Sequence, residues 1–93
     1  MTNSILKYLN NLPRCKAEKR HGGIYGTSGR PDITGCIDGV RIEIEVKTGT
    51  NKPTKLQEKE IEAWKAAGAC ACVVWSLDEA KEFLRENDLM GDL

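Results

Sequence analysis

The chain has 93 residues, with 14 acidic and 14 basic side chains, so its formal net charge at pH 7 is zero. A chain of this length forms one domain with a modest core, and we expect residues 1–93 to be that single domain. The charge balance argues against a uniformly basic nucleic-acid-binding protein. However, residues 1–31 carry six basic side chains and only one acidic, an asymmetry that indicates a half of the chain facing nucleic acid.

Two further classes are disfavoured by the composition. The sequence has no run of about twenty apolar residues, so we expect no membrane span and no membrane partner. The first residues lack the basic and apolar regions of a signal peptide, which favours a cytoplasmic location. We therefore expect reduced, mostly buried thiols at Cys15, Cys36, Cys70 and Cys72. Their spacing from each other and from His21 fits no common zinc motif.

The first third of the chain predicts a helix, a strand and a loop. Apolar residues recur at helical spacing within residues 2–11, and Thr2 or Asn3 can cap the helix start. Residues 14–20 predict a first strand, although their β propensity is poor. Residues 21–29 form a glycine-rich loop in which backbone amides could approach a phosphate, although loop glycines usually only make turns.

A β-hairpin is the clearest local pattern. Asp38-Gly39 lies between the strand-like runs 33–37 and 40–47, and both positions of such a turn need a positive φ. In the second run apolar and charged residues alternate, so one face of this strand is apolar and the other is charged. Glu45 and Lys47 lie on the charged face, roughly 7 Å apart along the strand.

The last part of the chain predicts a helix, a strand and a helix. Residues 54–67 open with a capping box, and their buried side comprises Leu56, Ile61, Trp64 and Ala67. A continuous apolar run at 69–75 predicts a central strand covered on both faces. A second capping box, from Ser76 to Glu79, opens a last helix at 77–87.

One end of the hairpin carries a group of charged residues suited to phosphoryl chemistry. Asp32, at the start of the first hairpin strand, can be brought close to Glu45 and Lys47. Two carboxylates can hold a hard divalent cation such as Mg²⁺, and a lysine can orient water or offset negative charge. The alternative is an ordinary amphipathic strand whose charges only face solvent.

These residues carry a resemblance to a known superfamily. Pro31-Asp32 followed by Glu45-Val46-Lys47 resembles the motif of the PD-(D/E)XK nucleases. With Gly29-Arg30 before it and Thr54-Lys55-Leu56-Gln57 after it, the pattern is similar to the VRR-Nuc family within that superfamily, especially its small stand-alone members from bacteriophages. The resemblance spans about residues 2–84. It implies an α/β fold with a restriction-endonuclease-like αβββαβ core, in which helices flank a four-stranded mixed sheet.

The resemblance also implies roles for individual residues. Asp32 and Glu45 would bind Mg²⁺ or Mn²⁺ together with the Val46 carbonyl, and Lys47 would position the attacking water. Gln57 is open to two interpretations, because it can either place water or phosphate beside Lys47 or complete the capping box of its own helix.

The function implied by the resemblance is a metal-dependent endonuclease that is selective for DNA structure. Stand-alone relatives resemble Holliday-junction resolvases of recombination, repair and replication and act as homodimers, so branched or junction-like DNA is the expected substrate. If the protein is phage-encoded, we expect it in the host cytoplasm. Basic residues would hold backbone phosphates without reading sequence, namely Arg30, Lys52, Lys55, Arg20 and Lys19.

The sequence departs from the family pattern at one position. Family members commonly carry a glutamate on the first helix, whereas this chain has Asn3 there and no glutamate before Glu18. An alternative function is therefore a catalytically weak or inactive DNA-binding protein on the same fold. A second alternative is a cysteine-based metal-binding or redox regulator.

Overall fold

The computed structural model describes residues 1–21 and 29–89, so most of the glycine-rich loop lies outside the described residues. Its helices are α1 (Thr2–Asn10), α2 (Lys55–Ala66) and α3 (Leu77–Glu86), and its strands are β1 (Cys15–Lys19), β2 (Ile33–Ile37), β3 (Val40–Val46) and β4 (Cys70–Val74). The sheet order is β1-β2-β3-β4, and only the β3–β4 pair is parallel. The predicted αβββαβ core with a four-stranded mixed sheet is confirmed. None of these helices is long and apolar enough to cross a membrane.

The predicted hairpin between β2 and β3 is confirmed. Its turn residues Asp38 and Gly39 have φ values of 51° and 81°, as a two-residue turn of this type requires. Ile37 pairs with Val40, and the same register pairs Ile33 with Ile44. Continuing this register by one residue sets the residue before β2 opposite Glu45.

The two faces of the sheet are covered by different helices. Helices α1 and α3 contribute to one apolar core with alternate residues of the strands. Its fully buried side chains include Ile5, Leu9, Ile33, Ile42, Ile44 and Leu84. Helix α2 packs against β3 and β4, and the carboxyl side chains Glu43 and Glu45 on the charged face of β3 are 0% and 2% exposed. The middle of this alternating strand, residues 42–45, is therefore buried on both faces.

The predicted buried side of α2 is partly wrong. Ile61 is buried and Trp64 is half-buried, but Leu56 and Ala67 are exposed. The apolar stripe of α2 is narrow because the helix covers charged side chains as well as apolar ones.

Two helix starts also differ from the predictions. The N-cap of α1 is Met1 rather than Thr2 or Asn3, and no side chain caps this helix. At α3, the Glu79 N–H donates to Ser76 Oγ at 3.1 Å, but the Glu79 carboxylate accepts from the Trp75 N–H at 3.4 Å. The second capping box therefore has only one of its two reciprocal bonds, because the Glu79 carboxylate accepts from Trp75 instead of from the N-cap residue Ser76.

The thiols are less buried than the composition predicts. Cys36 is exposed, whereas Cys15, Cys70 and Cys72 are half-buried, and all four are free. Burial raises the pKa of the Cys72 thiol to about 12. This cysteine is therefore unreactive at neutral pH, because the thiolate is the reactive species.

The outer edge of β1 is closed by a side chain. The Arg20 N–H donates to the Asp32 carbonyl on the β2 side at 2.7 Å, so Ala17, an odd number of residues away, directs its own N–H and C=O outward. The Asn10 side chain accepts from the Ala17 N–H at 2.9 Å and donates to its carbonyl at 3.0 Å. Asn10 thus takes the place that another strand would occupy.

The opposite edge of the sheet is β4, so the predicted central position of the strand at 69–75 is wrong. The Lys47 N–H donates to the Val74 carbonyl at 2.9 Å, so alternate β4 residues face β3, and Ala71 and Val73 direct their backbone groups outward. Within residues 1–21 and 29–89, no group bonds to these outward N–H and C=O groups.

Asn10→Ala is expected to lower the free energy of unfolding by about 1–2 kcal/mol, because two hydrogen bonds at the β1 edge are lost. Asn10→Asp, which can accept from the Ala17 N–H but not donate to its carbonyl, should lose less. Urea unfolding of the three proteins measures the difference. Equal stability of all three would show that water replaces the Asn10 side chain at no cost.

Candidate active site

The first hairpin strand brings Asp32 directly against Glu45. The Asp32 N–H donates to Glu45 Oε1 at 3.2 Å, and the Val46 N–H donates to Asp32 Oδ2 at 2.9 Å. The structure therefore brings together the two carboxyl groups that the sequence analysis singled out.

Lys47 lies on the same face as Glu45, two residues further along the chain. Its Nζ is 3.7 Å from Glu45 Oε2, and its side chain is 18% exposed. Burial raises the pKa of Glu45 to about 7, and the hydrogen bond and charge of Asp32 also raise it, against the lowering influence of Lys47. The site therefore holds more negative charge than its single lysine offsets, which is a suitable setting for a cation.

The ordinary pKa of a glutamate is about 4.5, so folded protein binds the Glu45 proton more tightly than unfolded protein does. Stability should therefore fall as pH rises through the window from 4.5 to about 7. In EDTA, the Tm of Glu45→Gln relative to wild type is expected to rise across this window, because the variant has no proton to lose. Thermal unfolding at several pH values measures this, with Glu58→Gln on the exposed side of α2 as the control. A constant difference in Tm would contradict the raised pKa.

The donor atoms around Asp32 and Glu45 fit a hard divalent cation. The N–H and C=O of one residue in an antiparallel ladder point to the same side, so the Val46 carbonyl points to the same side of β3 as its N–H, toward Asp32. Within the described ranges, no group of three or more His, Cys, Asp or Glu side chains could hold a metal. Two carboxylates and a carbonyl suit Mg²⁺, which keeps several waters.

Neither Asn3, at the first-helix position, nor Glu18, the first glutamate of the chain, joins this group. The side chain of Asn3 is exposed on α1 and makes no hydrogen bond within the described residues. The Glu18 carboxylate is paired with Lys16 Nζ at 3.3 Å on the exposed side of β1. The acidic part of the site therefore consists of Asp32 and Glu45 within the part of the chain that the structure describes.

Gln57 forms the capping box that was one of its two interpretations. Its Oε1 accepts from the Thr54 N–H at 2.9 Å, and its own N–H donates to Thr54 Oγ1 at 3.1 Å. The start of α2 also lies against Gly29, where a Cβ would come 2.8 Å from Leu56 Cγ. The cap leaves the side-chain NH₂ of Gln57 as a donor, so the second role stays a prediction.

The predicted phosphate-binding residues fall into two groups. Four of them have exposed side chains: Lys19, Arg30, Lys52 and Lys55. The loop that carries Lys52 is held by the indole N–H of Trp75, which donates to the Asn51 carbonyl at 2.8 Å. Arg20 differs, because its side chain is only 18% exposed and is paired with Glu43 at 2.8 Å.

A cluster of polar residues around the buried Glu43 was not predicted from the sequence. Its Oε2 accepts from Arg41 Nε at 2.9 Å and from Thr34 Oγ1, and its Oε1 accepts from Arg20. The Trp64 ring lies 4.6 Å from the guanidinium of Arg41 and 5.9 Å from that of Arg20. The only sequence signal was the alternation of β3, which does not tell a solvated face from one covered by a helix.

The arrangement defines a class of protein. A mixed αβββαβ sheet whose hairpin sets Pro-Asp against Glu-x-Lys has the fold and motif order of the PD-(D/E)XK superfamily, as the sequence resemblance implied.

A comparison with solved structures shows a more specific similarity, to one domain. It is described as a VRR_NUC domain and has a TM-score of 0.72 to this chain, with 28% sequence identity over 91% of this chain and 89% of its own. No family model and no curated protein matches the sequence. The resemblance to the VRR-Nuc family is confirmed at the level of a strong structural match over nearly the whole chain.

Proposed function

We propose that this protein is a metal-dependent endonuclease that hydrolyses phosphodiester bonds in DNA. The observation that supports it most is the contact between Asp32 and Glu45, two carboxyl groups of which one is 2% exposed, beside Lys47. The similarity to a VRR_NUC domain supports a nuclease family for the chain.

Each residue of the proposed site would have its own role in catalysis. Asp32, Glu45 and the Val46 carbonyl would hold Mg²⁺ or Mn²⁺, which when bound would polarise a phosphoryl oxygen and lower the pKa of water. Lys47, held beside Glu45 by their ion pair, would orient the attacking water and offset charge in the transition state. Gln57 could place water or phosphate with the NH₂ group that its cap leaves available.

The DNA would be held by its backbone. Lys19, Arg30, Lys52 and Lys55 are exposed and can bind phosphates, which fixes the position of the duplex without reading its sequence. No described helix has the character of a base-reading helix, so we propose selection of branched or junction-like DNA by shape. Action as a homodimer, a role in recombination, repair or replication, and a bacteriophage origin with a location in the host cytoplasm rest on the family resemblance.

The test is cleavage of a four-way junction, a nicked duplex and a linear duplex of matched sequence, each in Mg²⁺, Mn²⁺, Ca²⁺ or EDTA. We expect cutting in Mg²⁺ or Mn²⁺, none in EDTA, and the fastest rate on the junction. Sedimentation with and without the junction measures the proposed dimer. Equal rates on all three DNAs would contradict the proposed selectivity for DNA structure. Cutting in EDTA would contradict the proposed metal dependence.

A second candidate is a DNA-binding protein that has lost activity. It is favoured by the first-helix position, where Asn3 stands and makes no hydrogen bond to the site residues. This function predicts junction binding without cleavage even in Mn²⁺, so the same experiment separates the two candidates.

A further inference from the structure

Arg20 directly follows β1, and both its backbone and its side chain bond to the segment that leads into the proposed site. Its backbone N–H donates to the Asp32 carbonyl at 2.7 Å. Its Nη1 donates to the Pro31 carbonyl at 2.9 Å and to Glu43 Oε1 at 2.8 Å. One residue therefore bonds to both carbonyls of the Pro-Asp pair and to a buried carboxylate.

The Pro31 carbonyl and the Asp32 N–H belong to the same peptide unit, which is planar. Arg20 binds the oxygen of this unit, and Glu45 Oε1 accepts from its N–H at 3.2 Å. The ring of Pro31 also fixes its own φ. Hydrogen bonds therefore fix both the C=O and the N–H of the peptide unit that joins Pro31 to Asp32.

The buried partner of Arg20 is not explained by stability alone. Glu43 is fully buried, and replacing a buried ion pair by apolar residues of similar shape is often neutral or stabilising. If apolar residues replaced Arg20 and Glu43, the protein would lose the fixed cation that bonds to the Pro31 carbonyl. Trp64, with its ring 5.9 Å from the Arg20 guanidinium, covers the pair from α2.

We propose that Arg20 is a positioning residue: anchored by Glu43, it holds the Pro31–Asp32 peptide so that the Asp32 carboxyl group stays against Glu45 and Val46. The inference rests on the proposed function, and it reassigns Arg20 from the phosphate-binding role that the sequence predicted. A phosphate contact would act mainly on DNA binding, whereas a positioning residue acts on the chemical step.

Arg41 offers a matched control. It also pairs with Glu43, at 2.9 Å, and its guanidinium lies 4.6 Å from the Trp64 ring. Its Nη2 donates to Thr34 Oγ1 at 3.0 Å, but it makes no hydrogen bond to Pro31. Arg20→Gln and Arg41→Gln therefore each remove one ion pair and one cation–π contact from the same cluster. Each variant leaves Glu43 one guanidinium and the Thr34 hydroxyl, so both are expected to fold.

Two readouts are compared in wild type and in both variants. The first, which needs neither metal nor activity, is the NMR resonance of the Val46 amide, whose N–H donates to Asp32 Oδ2 at 2.9 Å. The second is the separation of kcat from KM for junction cleavage in Mn²⁺. In Arg20→Gln we expect a displaced Val46 resonance and a kcat lowered about 10- to 100-fold, as is typical of residues supporting metal ligands, with KM nearly unchanged.

Arg41→Gln is expected to keep the wild-type Val46 resonance and kcat. Equal effects of the two variants would overturn the proposal, because the cluster would then serve only the fold. A raised KM with unchanged kcat and Val46 resonance in Arg20→Gln would also overturn it, in favour of a phosphate contact.

The proposal and the proposed function can fail separately. If wild type does not cut DNA, the Val46 resonance and the Mn²⁺ affinity of the variants still decide whether Arg20 positions Asp32. If Arg20→Gln does not fold, Glu43→Gln, which keeps the shape of the side chain and removes its charge, is measured in its place. A wild-type Val46 resonance in that variant would overturn the role of Glu43 as the anchor.

Discussion

Asp32→Asn is expected to lower the rate of DNA cleavage by at least about 10³-fold, because it removes half of the negative charge that would hold the divalent cation. The amide oxygen of asparagine can still accept from the Val46 N–H, as Asp32 Oδ2 does at 2.9 Å. The local geometry should therefore survive. Initial rates of junction cleavage in Mn²⁺ measure the loss.

The same variant has a second expected signature, in stability. Asp32 raises the pKa of Glu45 through its hydrogen bond and its charge, so removing that charge should raise the Tm in EDTA at pH 8. Asp88→Asn is the control, since Asp88 is exposed, has a φ of 57° that asparagine also tolerates, and has no ion pair within the described residues. Continued cutting by Asp32→Asn would show that the Asp32–Glu45 pair is not the active site.

Lys47→Met is expected to lower kcat by about 10²- to 10⁴-fold, because the variant retains an apolar stem of similar length but loses the group that would orient water. Binding of Mn²⁺ should persist, since both carboxylates remain. Loss of the ion pair with Glu45 Oε2 at 3.7 Å should also raise the pKa of Glu45 further. Single-turnover cleavage and calorimetric Mn²⁺ titration separate these effects.

A lysine elsewhere provides the comparison for Lys47. Lys59 is exposed on α2 and has no ion pair within the described residues, so Lys59→Met should keep the wild-type kcat. If Lys47→Met instead raised KM at an unchanged kcat, Lys47 would be a phosphate-binding residue and the proposed water-orienting role would be wrong.

The hairpin and its register could be predicted from the sequence because their causes are local. Asp38 and Gly39 adopt the positive φ values that this turn needs, and strand alternation then fixes which residues face each other. Asp32 and Glu45 consequently met where the pattern indicated. The capping box of Thr54 and Gln57 is also a short-range feature and was found for the same reason.

The cover of the charged face could not be predicted, because it depends on where α2 packs. Glu43 alternates with isoleucines as it would on a solvated strand, yet it is fully buried under α2 with two arginines. Leu56 suited a buried position by its spacing but is 50% exposed. Tertiary packing decided both cases, and periodicity carries no information about a partner from another element.

Asn10 bonds to Ala17 at one margin of the sheet, whereas at the other margin no group within residues 1–21 and 29–89 bonds to the outward backbone of Ala71 and Val73. This contrast affects how copies of the chain can associate. A sheet that could grow at both margins would permit an open-ended fibre. Because Asn10 interrupts further pairing at Ala17, strand addition by another copy is expected at the β4 margin, where it would join two sheets edge to edge.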